Sequence, residues 1–168
     1  MYLPWKKRLT AFFYIAISIA MGIEQDINQT SFRNEYQKTA INIIYTFNWM
    51  NEKMKAMFDK EEITPQQFNI LRILRGAGKP ISTLQIRQRM LDKMSDTSRI
   101  VDRLLTKGLV KKNTCPGDKR LVDVSITDKG KKLLERMDLL APDMDALFKN
   151  LSDADAKTLN KLLDKIRS

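Results

Sequence analysis

The side chains best suited to bind another molecule form one short run, Ser95-Asp96-Thr97-Ser98-Arg99, followed four residues later by Arg103. Short hydroxyl side chains at the start of a helix can contact phosphates or the edges of bases. Arg99 and Arg103 are one helical turn apart and share a face, so either guanidinium could reach a guanine or a phosphate. The run predicts a contact with nucleic acid.

A second group of polar side chains surrounds a turn signal, Pro116-Gly117-Asp118. Lys112 precedes this turn, and Lys119 and Arg120 follow it, which predicts a hairpin with a charged tip. An arginine at such a tip fits a narrow minor groove. Asp118 and Arg120 could pair with each other or reach outward. Supporting contacts are predicted where an earlier helix begins, at Ser82, Thr83 and Gln85.

The charge of the chain agrees with this chemistry. The formal net charge is +10, and the stretch from Thr83 to Arg120 holds ten basic and four acidic residues. Between Phe68 and Phe148 there is no aromatic residue on which an unpaired base could stack. The basic stretch therefore favours double-stranded DNA as the partner. The alternative interpretation is that these charges form an ordinary solvated surface.

Several kinds of site are excluded by residue type. The chain has no histidine and one cysteine, Cys115, so histidine-based and four-cysteine zinc sites, internal disulfides and histidine-based catalysis are ruled out. No glycine-rich phosphate loop and no nucleophile with an evident base is present. We expect no enzymatic activity, no metal and no cofactor, and we interpret Cys115 as an incidental exposed thiol.

Helices must position the first group of residues. Apolar residues at steps of three and four predict a long helix over Glu35–Phe58, and further apolar residues widen its face. Such a helix suits either a central core or a dimer interface. Thr64, Pro65 and Gln67 predict the start of a second helix, ended by Gly76 and Gly78.

The remaining elements complete a recognisable order. Ser82 predicts the cap of a short helix to Met90, and Ser95 the cap of a third helix, with Asp96 in its first turn and Gly108 at its end. Strands are predicted over Leu109–Lys112 and Leu121–Ile126. A final helical stretch over Asp128–Asn150 and a last helix capped by Ser152 follow. Three helices and a hairpin predict a winged helix-turn-helix.

The N-terminus has a different character. Lys6, Lys7 and Arg8 precede an uncharged stretch, Leu9–Ile23, that is short for a membrane span. It could be an export signal, a core or interface helix, or translated upstream sequence before a working start at Met21. The last interpretation is favoured, so residues 1–20 are treated as an extension and 21–168 as one domain.

The run Met94–Leu104, the sequence Lys107-Gly108-Leu109-Val110, the motif Asp118-Lys119-Arg120 and the stretch Ile126–Gly130 together resemble the MarR (multiple-antibiotic-resistance) regulators. The resemblance covers about residues 35–168. It implies a homodimer of intertwined terminal helices, with two winged heads on a pseudo-palindromic operator. It also implies that Asp118 braces Arg120, which enters the minor groove, and that a small molecule can release the DNA.

These observations predict a mainly α protein with a small β-hairpin wing. The winged helix-turn-helix spans residues 61–127, and dimerisation helices span 35–60 and 128–168. The predicted function is a cytoplasmic, sequence-specific DNA-binding transcriptional regulator, a repressor released by a small ligand. No membrane partner is expected. The alternatives are a winged-helix protein-interaction module, or a membrane-tethered regulator if residues 9–23 are retained.

Overall fold

The computed structural model describes the backbone of residues 22–115 and 118–168 and the side chains of residues 22–113 and 123–168. The chain divides into two compact units at Asn51 and Glu52. The N-terminal extension predicted over residues 1–20 lies outside the described residues. Within the described part, no helix is both long enough and apolar enough to cross a membrane.

The first unit contains a short helix α1 (Ile23–Asp26) and most of the long helix α2 (Glu35–Lys60), which confirms the predicted helix. Asn34 and Gln37 define the start of α2. The Asn34 Oδ1 accepts the backbone N–H of Gln37 at 2.9 Å, and the Gln37 Oε1 accepts the N–H of Arg33 at 2.6 Å. An ion pair between Lys38 and Glu24 connects the two helices.

The second unit begins with the end of α2 and continues through α3 (Pro65–Ala77), α4 (Thr83–Arg89) and α5 (Thr97–Thr106). The predicted capping boxes are confirmed at Thr64 with Gln67 and at Ser82 with Gln85. The prediction that Gly76 ends α3 was wrong, because a helix tolerates one glycine at about 1 kcal/mol. Helix α3 ends instead at Gly78, whose φ of 65° lies in the left-handed region.

A three-stranded antiparallel sheet follows, in the order β1–β3–β2. The hairpin strands are β2 (Val110–Cys115) and β3 (Asp118–Ile126), longer than predicted. Leu109 lies outside β2 because its N–H donates a hydrogen bond to the Leu104 carbonyl at the end of α5. The additional strand β1 (Ile81–Ser82) pairs Ile81 with Val124, so the wing is fastened to the residues that precede α4.

The helical stretch predicted over Asp128–Asn150 is divided into three segments. The structure has α6 (Asp128–Asp138), α7 (Ala141–Asp145) and a 3₁₀ turn (Ala146–Phe148). Pro142 has no N–H to donate to the carbonyl of Asp138, and its ring would clash with that carbonyl in a continuous helix. The last helix, α8 (Asp153–Ile166), begins at the predicted cap Ser152, which forms a capping box with Asp155.

The core of the second unit lies between α3, α4, α5, the three-stranded sheet and α6. Helices α3 to α5 and the sheet are called the head. Its fully buried side chains come from all of these elements: Ile70, Leu71, Ile86, Leu104, Val124 and Leu134. Two ion pairs hold the C-terminal end of α6, from Arg136 to Glu61 at 2.6 Å and from Arg75 to Asp138 at 2.5 Å. The predicted fold class, mainly α with a small β wing, is confirmed.

Candidate nucleic-acid interface

The recognition helix α5 begins one residue later than the sequence predicts. Asp96, not Ser95, is its N-cap, and the Asp96 Oδ1 accepts the backbone N–H of Arg99 at 3.1 Å. The prediction was wrong because Ser95 is engaged elsewhere: its hydroxyl donates to the Asp92 Oδ2 at 2.5 Å. That hydrogen bond, with the N–H of Met94, holds the pKa of Asp92 below its ordinary value.

Three of the predicted contact residues are exposed along α5. Ser98, Arg99 and Arg103 all face solvent. Among the side chains that the structure describes, no carboxylate lies within ion-pair distance of either arginine. Both guanidinium groups are therefore available to an anion, and a phosphate or a guanine edge is the ligand that suits them.

Thr97 differs from its neighbours. The residue is only 4% exposed, and its hydroxyl oxygen has no hydrogen-bond partner among the described residues. A DNA surface cannot reach this hydroxyl in the observed conformation. Thr97 therefore belongs to the packing beneath α5, although the sequence pattern grouped it with the contact residues.

The base of the wing contributes further positive charge. Lys111 and Lys112 are exposed on β2, and Lys112 pairs with Asp102 on α5 at 2.9 Å. This ion pair joins the wing to the recognition helix. The side chains of Cys115, Asp118, Lys119 and Arg120 lie outside the described residues, although the backbone of the last three forms the start of β3.

The supporting residues at the start of α4 have a structural role. The Ser82 hydroxyl accepts the N–H of Gln85 at 3.2 Å, and the Gln85 Oε1 accepts the N–H of Ser82 at 3.0 Å. Thr83 is the first residue of α4 and is half-buried. These hydrogen bonds fix the start of α4. The exposed Arg99 and Arg103 on α5 are therefore better suited to bind DNA than Ser82, Thr83 and Gln85.

One residue that positions the interface was missed by sequence reasoning. The Asn69 Oδ1, on α3, accepts the N–H of Leu91 at 3.0 Å and so anchors the segment between α4 and α5. Asparagine is a poor helix former because its amide competes for backbone groups. Its place within a helix, between the apolar residues Phe68 and Ile70, was the signal that could have identified it.

A groove of about 640 Å³ lies within the second unit, between the end of α2, the α5–β2 junction and α6. Basic and acidic side chains share its rim, including Lys60, Lys132 and the paired Arg136 and Glu61. Hydrogen bonding from Arg136 lowers the pKa of Glu61. The groove is large enough for a small molecule, which is the kind of feature that the sequence could not reveal.

No described group of histidine, cysteine, aspartate or glutamate side chains could hold a metal ion. Among the described residues, the basic surface formed by α5 and the wing is the arrangement best suited to bind a ligand. It suits a polyanion with regularly spaced phosphates.

Comparisons with known proteins agree with this geometry. Residues 63–122 match the model of the MarR family. The chain is 31% identical over 128 residues to the multiple antibiotic resistance protein MarR of Salmonella typhimurium, covering 74% of this chain and 88% of that protein. It is 27% identical over 130 residues to the transcriptional repressor IacR of Pseudomonas putida, covering 73% and 77%.

A solved structure extends the likeness to three dimensions. A mutant MarR from E. coli, crystallised in complex with operator DNA, superposes with a TM-score of 0.71 and 27% identity. The match covers 82% of this chain and 99% of that one. The relatives that the chain matches are transcriptional regulators and not enzymes. The chain therefore belongs to the MarR family and is a transcriptional regulator.

Proposed function

We propose that the protein is a homodimeric repressor that binds a pseudo-palindromic operator in double-stranded DNA. The observation that carries this proposal is the exposed pair Arg99 and Arg103, which no described carboxylate neutralises, on a helix held by a winged head. The E. coli MarR structure with operator DNA supports it, because that chain has the same fold at 27% identity. A cytoplasmic location follows from the proposal, since the DNA is there.

Exposed apolar side chains support the homodimer. In the first unit, α2 exposes large apolar residues, including Tyr36, Ile44 and Phe47. In the second unit, α8 exposes Leu162 and Ile166. Such surfaces usually mark an interface, because exposing them to water costs about 25 cal/mol per Å². A second copy would cover both faces, and the winged heads would then meet two half-sites.

The protein is expected to be a dimer at micromolar concentration. Leu162→Asp would place a charge in the interface, so we expect this variant to be a monomer and to bind operator DNA far more weakly. Static light scattering gives the mass, and Leu84→Asp, an exposed leucine on the head, is the control that should remain dimeric. A monomeric wild type would contradict the homodimer.

In the proposed complex, α5 lies in the major groove and the wing reaches the adjacent minor groove. Ser98, Arg99 and Arg103 would contact bases or phosphates, with Ser95 and Asp96 at the helix start. On the wing, Arg120 would enter the minor groove, with Asp118 as its brace and Lys112 and Lys119 on the phosphates. Ser82, Thr83 and Gln85 would support the backbone contacts.

The contacts can be separated by titrating three variants against operator and scrambled duplexes at one salt concentration. Arg120→Ala should weaken operator binding at least about tenfold, because each of two heads loses about 1–3 kcal/mol. Asp118→Ala should have a smaller effect. Arg99→Ala should reduce the preference among operator variants more than it lowers non-specific affinity.

The control is Arg167→Ala, which removes the same charge at the end of α8 and should bind like the wild type. Wild-type affinity for Arg120→Ala would mean that the hairpin does not contact DNA, and a protein-interaction module would then explain the head better. Release by a small ligand remains part of the proposal. A screen for compounds that dissociate the complex tests it, with the groove beside Arg136 as the first place to look for binding.

A further inference from the structure

We infer that Met94 recognises the methyl group of a thymine in each operator half-site. This inference rests on the proposed DNA binding and goes beyond it, because it assigns a side chain that reads sequence by apolar contact. Met94 lies in the segment Met90–Asp96 between α4 and α5.

The first observation is exposure. Met94 is 93% exposed, and Leu91, in the same segment, is 84% exposed. Around them the head presents mainly charge, from Arg87 and Arg89 on α4 to Arg99 on α5. A large apolar side chain on a charged surface gains free energy when a partner covers it, at about 25 cal/mol per Å². The Met94 side chain is therefore suited to contact an apolar group on whatever the head binds.

The second observation is that the segment is fixed in place. The Leu91 N–H donates to the Asn69 Oδ1 at 3.0 Å, and the Met94 N–H donates to the Asp92 Oδ1 at 3.0 Å. The Ser95 hydroxyl holds the other oxygen of Asp92. The backbone that presents Met94 is thus ordered before any ligand arrives, so a contact made there costs little additional entropy.

The third observation is position. Met94 stands three residues before Thr97, the first residue of the recognition helix, so its backbone is within about 10 Å of it along the chain. In helix-turn-helix complexes the N-terminal part of the recognition helix is the part that contacts base edges. A side chain at this place would therefore lie close to the same few base pairs as Ser98 and Arg99.

The chemistry identifies the partner group. The edges of the four base pairs in the major groove are donors and acceptors, except for the C5-methyl of thymine, which is apolar. The flexible, polarisable methionine side chain can adapt to such a group. A protein partner is the other occupant that an exposed methionine could have, but Met94 adjoins the recognition helix within a strongly basic surface, which favours DNA.

The experiment removes the methyl group instead of the base pair. An operator selected from a random duplex library is resynthesised with uracil in place of each thymine, at symmetric positions of both half-sites. Burial of one methyl is worth about fourfold in affinity, and two symmetric methyls about fifteenfold. We expect one symmetric thymine position at which the wild type loses about this factor and at which Met94→Gln loses nothing.

Two further variants make the assignment specific. Met94→Leu keeps an apolar side chain and should retain the sensitivity to uracil at that position. Leu91→Gln removes the other exposed side chain of the segment and should also retain it. If Met94→Gln responds to every uracil substitution as the wild type does, or if Leu91→Gln abolishes the same response, the assignment to Met94 is overturned.

The outcome also separates this inference from the proposed function. The wild type and Met94→Gln could both bind the selected operator with the same dependence on thymine. In that case the proposed DNA binding stands and only the methionine contact is contradicted. A protein partner would then be the remaining explanation for the exposed Met94 side chain. If no duplex is enriched in the selection, the proposed function fails and this inference fails with it.

Discussion

Affinity for operator DNA is expected to fall about 10³-fold or more when the salt concentration rises from 50 to 200 mM, as for a protein that makes 6–10 phosphate contacts. The reason is the charge of the head, where ten basic residues stand against four acidic ones between Thr83 and Arg120. Each phosphate that such a side chain neutralises releases condensed counterions. A fluorescence anisotropy titration across this range measures the slope.

A single lysine tests the origin of the slope. Lys111 is exposed on β2, so Lys111→Ala should weaken binding to all sequences alike and should lower the slope by about one per subunit. Lys149→Ala, after the 3₁₀ turn, is the matched control and should leave the slope unchanged. A complex insensitive to salt would mean that the basic surface does not contact the phosphates.

Gly130→Ala is expected to lower the free energy of unfolding by about 3 kcal/mol. Gly130 is in the first turn of α6, and a Cβ there would lie 2.3 Å from the Leu109 carbonyl oxygen and 2.7 Å from the Ile126 Cγ1. That carbonyl accepts the N–H of Thr127, so it cannot move without breaking the junction between the wing and α6. Urea denaturation at a fixed protein concentration measures the loss.

The same substitution elsewhere should have the opposite sign. Gly76 lies inside α3, and apart from its own helix backbone and chain neighbours no described heavy atom comes within 4 Å of the position that a Cβ would occupy. Gly76→Ala should therefore raise the free energy of unfolding by about 0.5–1 kcal/mol, because alanine loses less backbone entropy in a helix. If both variants were equally stable, close packing at Gly130 would not be what selects glycine there.

The sequence by itself determined the features that depend on residues close together in the chain or on the number of each residue type. The caps at Thr64, Ser82, Thr127 and Ser152 each join residues three apart, so a short window of sequence contains the whole interaction. The positive charge of the head and the absence of histidine were likewise fixed by residue counts. The run from Met94 to Leu104 together with the wing motif Asp118-Lys119-Arg120 indicated the family.

Some differences between prediction and structure were still local in origin. Pro142 divides the helical stretch predicted over Asp128–Asn150 by a rule that the sequence itself contained. Ser95 and Asp96 were both suitable caps for α5. Their competition was resolved by Asp92, which takes the serine hydroxyl and leaves the cap to Asp96.

Only the tertiary structure decided which residues meet across the chain and which are left exposed. The pairing of Ile81 with Val124 and the hydrogen bond from Leu91 to Asn69 join distant residues, and no local pattern specifies them. Burial is decided in the same way. Thr97 and Ser98 are adjacent hydroxyl residues, yet packing places one inside and the other in solvent. Neighbouring side chains on a helix diverge by about 100°, so the surface that α5 packs against determines which of them can reach DNA.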